Sequence, residues 1–326
     1  MTDQPLVPIS STTRTLRIIG DARVLQILRS AFRGARRFSD WADDLAIPRP
    51  LLVDRLNRLV DSGIMAKVGY SSSERRFEYR LTAMGRDLWA YLLSLWAWEK
   101  QWVPLGVEAL RSMRHRTCGT IAIPVACCGA CEQSLTAADV VDVPGPGYRL
   151  EPRMMPKWQR RALVNDPHLG HPDFHHETTQ VLGNRWSTML AARAMAGVVR
   201  FQDLQADLGI SPNLLTSRLR ELTDMNILAK VQYQGSPARF EYVPTEKGRA
   251  LYATRVFAVA WGDRWLADAA GPPYTLVHRT CGEAFTPTLR CSACSGVLRP
   301  GNFHFEPDVA FRGRRAQRAE RAVSQG

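Results

Sequence analysis

The chain is written twice. From about residue 16 onward one residue pattern returns 163 positions later without a gap: Gly20 as Gly183, Phe38 as Phe201, Ile47 as Ile210, Arg55 as Arg218, Ile64 as Ile227 and Gly85 as Gly248. Whole runs return as well, Ala66-Lys67-Val68 as Ala229-Lys230-Val231 and His115-Arg116-Thr117-Cys118-Gly119 as His278-Arg279-Thr280-Cys281-Gly282. Stacked solenoid repeats have periods of roughly 20 to 50 residues, so each copy here is expected to be a domain with its own core. What the chain does is therefore what one module does, taken twice.

At 326 residues, 45% of them hydrophobic, the chain can bury two or more ordinary cores. Its longest strongly apolar stretch, Leu88 to Trp98, is too short to span a bilayer, and the N-terminus has no basic region followed by an apolar one. The expectation is a soluble cytoplasmic protein that does not enter membranes. Forty-three Lys plus Arg against 31 Asp plus Glu give a net charge of +12, a field that favours a polyanion such as double-stranded DNA.

The seven cysteines fall in two tight clusters, unlike a secreted disulfide framework. Both copies read H-x-x-C-G and then, with nine residues intervening after that cysteine, C-x-x-C: His115, Cys118, Cys128 and Cys131, then His278, Cys281, Cys291 and Cys294. Three thiolates and one imidazole on two knuckles suit tetrahedral Zn²⁺. Four protein ligands close such a site to a catalytic water, so the expectation is two structural Zn²⁺ ions, one per copy, and no enzyme. Each knuckle is expected to form a small β zinc-ribbon-like module with a core separate from the rest. Cys127, whose counterpart is Arg290, reads as a spare small residue.

Ahead of each cluster the residue order predicts helix, turn, helix and hairpin. In copy two an amphipathic helix spans Thr179 to Met195, a short one runs from Phe201 to Leu208 and stops at Gly209, and a third opens at Ser211-Pro212, with Ser211 as N-cap. Two β-prone runs, Ile227 to Tyr233 and Ala238 to Val243, flank Gln234-Gly235-Ser236-Pro237 as a hairpin wing, and a long helix follows to about Trp265.

Gly183-Asn184-Arg185-Trp186, Arg200-Phe201-Gln202-Asp203-Leu204, Ile210-Ser211-Pro212 with Leu219-Arg220-Glu221-Leu222, and Glu241-Tyr242 before Thr245-Glu246-Lys247-Gly248 resemble the HxlR-type bacterial winged-helix regulators. The resemblance covers residues 178 to 268 closely and 15 to 104 more loosely. It implies a DNA-binding transcription regulator working as a pair of winged helices on a pseudo-palindromic operator. Two departures stand out: the domain is duplicated within one chain, and neither copy has a cysteine near its start, where redox-sensing members carry one.

Successive residues of the third helix, placed 100° apart, put Leu214, Leu215, Leu219 and Leu222 on one side and Asn213, Thr216, Ser217, Arg220 and Asp224 on the other. With Ser211 at its start, this outward face offers the amide, hydroxyl and guanidinium groups that read base edges or hold phosphates. Arg218, like Arg55, falls at the edge of the leucine side and reads as a structural ion pair. In copy one the outward positions hold Pro50, Val53, Asp54, Asn57 and Asp61, a face with no Arg and a central carboxylate. Pro48-Arg49-Pro50 also replaces the capping serine. Arg36, Arg37 and Arg49, with Arg33 nearby and Arg75 and Arg76 in the first wing, are expected to touch phosphates without reading sequence; Arg239 is their counterpart in the second wing.

The fold expected is α+β, mainly α: a divergent winged helix over 13–104, a zinc-ribbon-like module over 105–150, a linker over 151–177, the second winged helix over 178–268, a second module over 269–308 and a basic tail over 309–326. The linker gathers His168, His171, His175 and His176, and the tail carries Arg312, Arg314, Arg315, Arg318 and Arg321. The function expected is sequence-specific regulation with copy two as main reader. The alternative is a protein that docks on the transcription machinery through protein contacts. Sequence leaves open whether the pairing is a homodimer or an intrachain pseudo-dimer, and whether a small-molecule effector acts.

Overall fold

The computed structural model describes residues 6–45, 47–69, 77–103, 111–152 and 176–306. Copy one runs β1 (Leu6–Pro8), α1 (Ser11–Ile19), α2 (Ala22–Phe32), α3 (Phe38–Leu45), α4 (Arg49–Asp61), β2 (Met65–Gly69), β3 (Phe77–Leu81), α5 (Ala83–Arg86) and α6 (Trp89–Trp102). Then come β4 (Met113–His115), β5 (Pro124–Cys128), a short 3₁₀ turn (Ala137–Asp139), β6 (Val140–Pro144) and β7 (Leu150–Pro152), the last pairing antiparallel with β1. Copy two repeats the series as α7 (His176–Leu182), α8 (Arg185–Met195), α9 (Phe201–Leu208), α10 (Pro212–Asp224), β8 (Leu228–Gln234), β9 (Arg239–Pro244), α11 (Glu246–Ala253), α12 (Arg255–Trp265), β10 (Tyr274–His278), β11 (Pro287–Cys291) and β12 (Phe303–Phe305).

Shared sequence builds shared joints. Leu52, Leu56 and Leu59 of α4, and Leu215, Leu219 and Leu222 of α10, are all buried to within 1% of complete and anchor these two equivalent helices. Thr82 and Thr245 cap the helices behind the wings by accepting from the N–H groups of Gly85 and Gly248 at 3.1 and 3.0 Å. Those glycines are required, because a Cβ on either would lie 2.1 Å from the carbonyl oxygen of Ile64 or Ile227. The wings are antiparallel hairpins, Lys67 opposite Tyr79 in one and Lys230 opposite Tyr242 in the other. In both, the tyrosine N–H bonds back to the segment before the second helix, Tyr79 to Arg36 at 2.7 Å and Tyr242 to Val199 at 2.8 Å.

Two expected details differ. The helix predicted from Thr179 to Met195 is broken between α7 and α8, where the Asn184 side chain caps the N–H groups of Trp186 and Ser187. Gly183 at the break admits a crossing helix, since a Cβ there would meet Ala22 at 2.6 Å. The long helix ending near Trp265 divides at Thr254 into α11 and α12. Gly209 does end α9, in the left-handed conformation at φ 61°.

The larger difference lies in how the copies meet. β5 pairs with β11, β4 with β12, and β6 with β10, so the strands following one winged helix pair with strands from the other copy. Contacts recur with the copies exchanged. Trp98 donates its indole N–H to the carbonyl of Lys247 and Trp261 to that of Met84, each at 3.0 Å. Arg116 N–H bonds Asn302 and Arg279 N–H bonds Asp139, each at 2.7 Å. α1 lies along α12 and α6 along α7, and one continuous hydrophobic core runs through both copies. It reaches the strand layer through Met113, Cys128, Leu289 and Cys291, and Phe305 meets Trp96 edge to face at 5.1 Å. The expectation of separate cores for knuckle and winged helix does not hold: short two-stranded pieces cannot stand alone and take their apolar support from α6 and α12. No helix among the described residues is long and apolar enough to cross a membrane.

Candidate nucleic-acid interface and metal centres

α10 presents Asn213, Thr216, Ser217, Arg220 and Asp224 to solvent, with Ser211 exposed at its start. Arg220 has no hydrogen-bond or ion-pair partner among the described residues and is free to meet an anion. The hydroxyls are engaged within the helix, Thr216 donating to Pro212 at 2.9 Å and Ser217 to Glu221 at 3.3 Å. Ser211 holds the N-cap position but its hydroxyl makes no capping bond, so the loss of that serine in copy one costs less than sequence implies. Behind this face, buried Arg218 pairs with Glu221, the structural role expected of it. Arg239 is exposed at the start of β9, and Arg200 stacks on Tyr233 of the wing at 4.7 Å while pairing with Glu241.

α4 offers different chemistry on the same scaffold. Val53 stands exposed where Thr216 stands in α10. Asp54 binds both Arg55 and Arg58, the latter at 3.1 Å one helical turn away. Arg58 was missed from sequence, although its spacing from Asp54 is that of a helical ion pair; it lies on the exposed side, and Asp54 is consequently not a bare carboxylate. Arg55 is buried against Asp21 at 2.9 Å; burial works against its charge, but Asp21 and Asp54 outweigh burial and hold its pKa above the ordinary value. Asn57 accepts from Lys67 of the wing at 3.2 Å. Arg33, Arg36, Arg37 and Arg49 are exposed, with Arg37 3.7 Å from Glu78. Arg75 and Arg76 lie outside the described residues, as do His168, His171, His175 and the basic tail.

The eight cysteine and histidine positions form two four-residue groups, but not the two expected. One group is His115 and Cys118 of copy one with Cys291 and Cys294 of copy two; the other is Cys128 and Cys131 with His278 and Cys281. Grouping by copy fails because β5 and β11 lie antiparallel, Cys128 opposite Pro287 and Cys291 opposite Pro124. That pairing carries each C-x-x-C to the far copy's H-x-x-C. In the first group His115 Nδ1 lies 3.5 Å from the Cys118 sulfur and 3.3 Å from that of Cys294, and the Cys118 and Cys291 sulfurs are 3.9 Å apart. In the second, His278 Nδ1 is 3.3 Å from Cys281 and 3.2 Å from Cys131.

Each group fits a metal ion. An ion with metal–sulfur bonds of about 2.3 Å in tetrahedral geometry sets its sulfurs about 3.8 Å apart. Both histidines are 1% exposed, and each turns Nδ1 toward the sulfurs of its group. All donor atoms of a group lie within 4.8 Å of one another. The backbone favours thiolate: a backbone N–H from Thr120 is the largest effect holding the Cys118 thiol down at about 6. Burial pushes Cys128 up, but N–H groups of Cys131 and Ala130 outweigh it and bring the thiol below its usual value. Cys131 and Cys294 move up: the N–H groups of Gln133 and Gly296 favour their thiolates, but burial and neighbouring thiols outweigh that. A cation placed between sulfurs that crowd one another in this way would favour their thiolate forms. Cys127 is buried beside the second group, its thiol raised by burial, and belongs to neither.

Comparison with known proteins agrees with the winged-helix geometry. The family described as HxlR-like helix-turn-helix matches residues 18–106 and again 181–270, together more than half of the chain. An HTH-type transcriptional regulator of Mycobacterium tuberculosis is 43% identical over 139 residues, 43% of this chain and 88% of that protein. The HTH-type transcriptional regulator YodB of Bacillus subtilis is 33% identical over 86 residues, 26% of this chain and 77% of that one. A transcription-factor candidate from Pseudomonas aeruginosa of solved structure is 32% identical with a TM-score of 0.30, covering 37% of this chain and 83% of that one; a score this low carries no argument about the arrangement of the whole. The relatives named are regulators and not enzymes, and they correspond to about one copy each. Two matched modules in one sequence leave one assignment: the chain belongs to the HxlR-like helix-turn-helix family, twice over.

Proposed function

We propose that the chain is a sequence-specific DNA-binding transcriptional regulator whose two copies form an intrachain pseudo-dimer, copy two being the main reader. The observation that carries this is the contrast between the outward faces of α10 and α4. Asn213, Thr216, Ser217 and Arg220 are exposed on one, whereas on the other the exposed valine and the Asp54–Arg58 pair leave little to read a base edge. The exchanged contacts of Trp98 and Trp261 support the pairing, since they join the copies through equivalent surfaces. Arg239, and Arg36, Arg37, Arg49, Arg75 and Arg76 of copy one, supply phosphate contacts. Two structural Zn²⁺ ions hold the strand layer in place of a larger core, with His115, Cys118, Cys291 and Cys294 around one and Cys128, Cys131, His278 and Cys281 around the other.

The test is footprinting on genomic fragments, followed by quantitative binding to the protected duplex with each half scrambled in turn. Scrambling the half under copy two should abolish preference over random sequence, and scrambling the other should weaken binding only modestly. Equal losses from the two halves refute the division of labour. Absence of any preferred site refutes sequence-specific regulation and leaves protein docking as the reading.

A further inference from the structure

Structural zinc ordinarily holds one small module together from within. Here the chain has eight ligands in an order that would permit two such modules, and the strand pairing gives each group half of its ligands from each copy. Resting on the zinc assignment above, we propose that the two centres are clasps between copies: metal occupancy fastens the two winged helices into one reading unit, and metal loss releases that coupling.

Three features carry the proposal. First, beside the helix packing of α1 on α12 and α6 on α7, the copies are joined by a layer of paired strands of three to five residues, and pairs this short are marginal in water without a further staple. Second, the layer braces both terminal helices. β5 and β11 both contact α6, β11 contacts α12, and Phe303 and Phe305 of copy two lie against Trp89 and Trp96 of copy one. Third, the ligand groups sit where they can lock that brace. The Ile123 backbone, just ahead of β5, accepts from Ser292 N–H at 3.1 Å and donates to the Ser292 hydroxyl at 3.0 Å, between two ligands of the first group, Cys291 and Cys294. Removing the ion leaves crowded thiols and a buried imidazole beside strands held only by their short ladders and the core beneath, and the natural relief is for the two copies' strands to loosen.

The first arm of the test maps thiol protection in the full chain. Cys118→Ser, purified with zinc and treated with iodoacetamide, should contain one zinc in place of two and become alkylated at Cys291 and Cys294 in the other copy. Cys128, Cys131 and Cys281 should stay protected. Cys294→Ser should give the mirror result, with Cys118 and Cys291 labelled. Labelling of Cys128 and Cys131 in Cys118→Ser, with Cys281, Cys291 and Cys294 protected, would mean that zinc stays within each copy and would overturn the proposal. So would exposure of every thiol in both variants, since the centres would then not be independent clasps.

The second arm strips the wild-type chain with a strong zinc chelator and reloads it with zinc alone. Binding is measured to a duplex spanning both copies and to one spanning only the copy-two half. Two contacts held at a fixed, matching spacing act at a higher effective concentration than the same two on a loose tether. Stripping should therefore weaken the long duplex at least about tenfold, leave the short one within about twofold, and be reversed by zinc. Equal affinity of stripped and loaded chain for the long duplex overturns the coupling. A loaded chain with no sequence preference overturns the proposed reader, while the alkylation pattern still decides whether the centres join the copies.

Discussion

α4 and α10 are the same helix in two trades. Both begin with a proline in the first turn, run thirteen residues, bury three leucines at matching positions and tuck an arginine under the fold. They part on the surface. α10 keeps an amide, hydroxyls and an unpaired guanidinium outward, while α4 turns its charges on one another, Asp54 holding Arg55 and Arg58 together. The difference teaches that duplication preserves what a helix needs to stay in place and releases what it shows to a partner.

That comparison can be broken at the scaffold first. Leu52→Ala and Leu215→Ala remove equivalent, fully buried side chains, and each should cost about 2 to 5 kcal/mol of stability in urea unfolding. Markedly unequal costs would show that the copies are not held alike. The next test is at the surface: Arg220→Ala should weaken specific binding by about 1 to 3 kcal/mol, whereas Arg58→Ala should change it by less than half as much. A reversed ranking would move the reading function to copy one.

Smaller effects sharpen the picture. Arg239→Ala should lower affinity evenly across sequences and reduce the slope of log affinity against log salt by about one; a loss confined to one sequence would make this wing a reader. Asp54→Ser frees Arg58 to face the duplex while Arg55 keeps Asp21. It should strengthen binding at the half under copy one by a few tenths of a kcal/mol, the scale of an exposed ion pair. Weaker binding there would mean that Asp54 contacts the DNA.

Much of each winged helix was legible because its signals are local. Leucines at helical spacing, Gly209 after α9, proline at the start of α10 and β-prone runs around the wing all act within a few residues of themselves. The break at Gly183 was less visible, because that glycine answers to Ala22 of the other copy. Arg58 escaped notice because the arginine sought was at the position of Arg220. The grouping of the metal ligands could not be read at all: with identical H-x-x-C and C-x-x-C motifs in both copies, local and exchanged quartets have the same residue types at the same spacing. Only the antiparallel pairing of β5 with β11 tells them apart, and nothing in either strand's sequence names its partner.

The exchanged quartets also bear on how the molecule is made. His115 and Cys294 share a centre across 179 positions of chain, and Cys131 and His278 across 147. Synthesis proceeds from the N-terminus, and early domains begin folding before later ones exist. The ribosome therefore releases His115 and Cys118, and Cys128 and Cys131, long before the copy-two half of either group. Under the zinc assignment proposed above, the first set of four that a nascent chain can offer differs from either group of the finished fold, and a metal bound early would have to change partners when the second copy arrives.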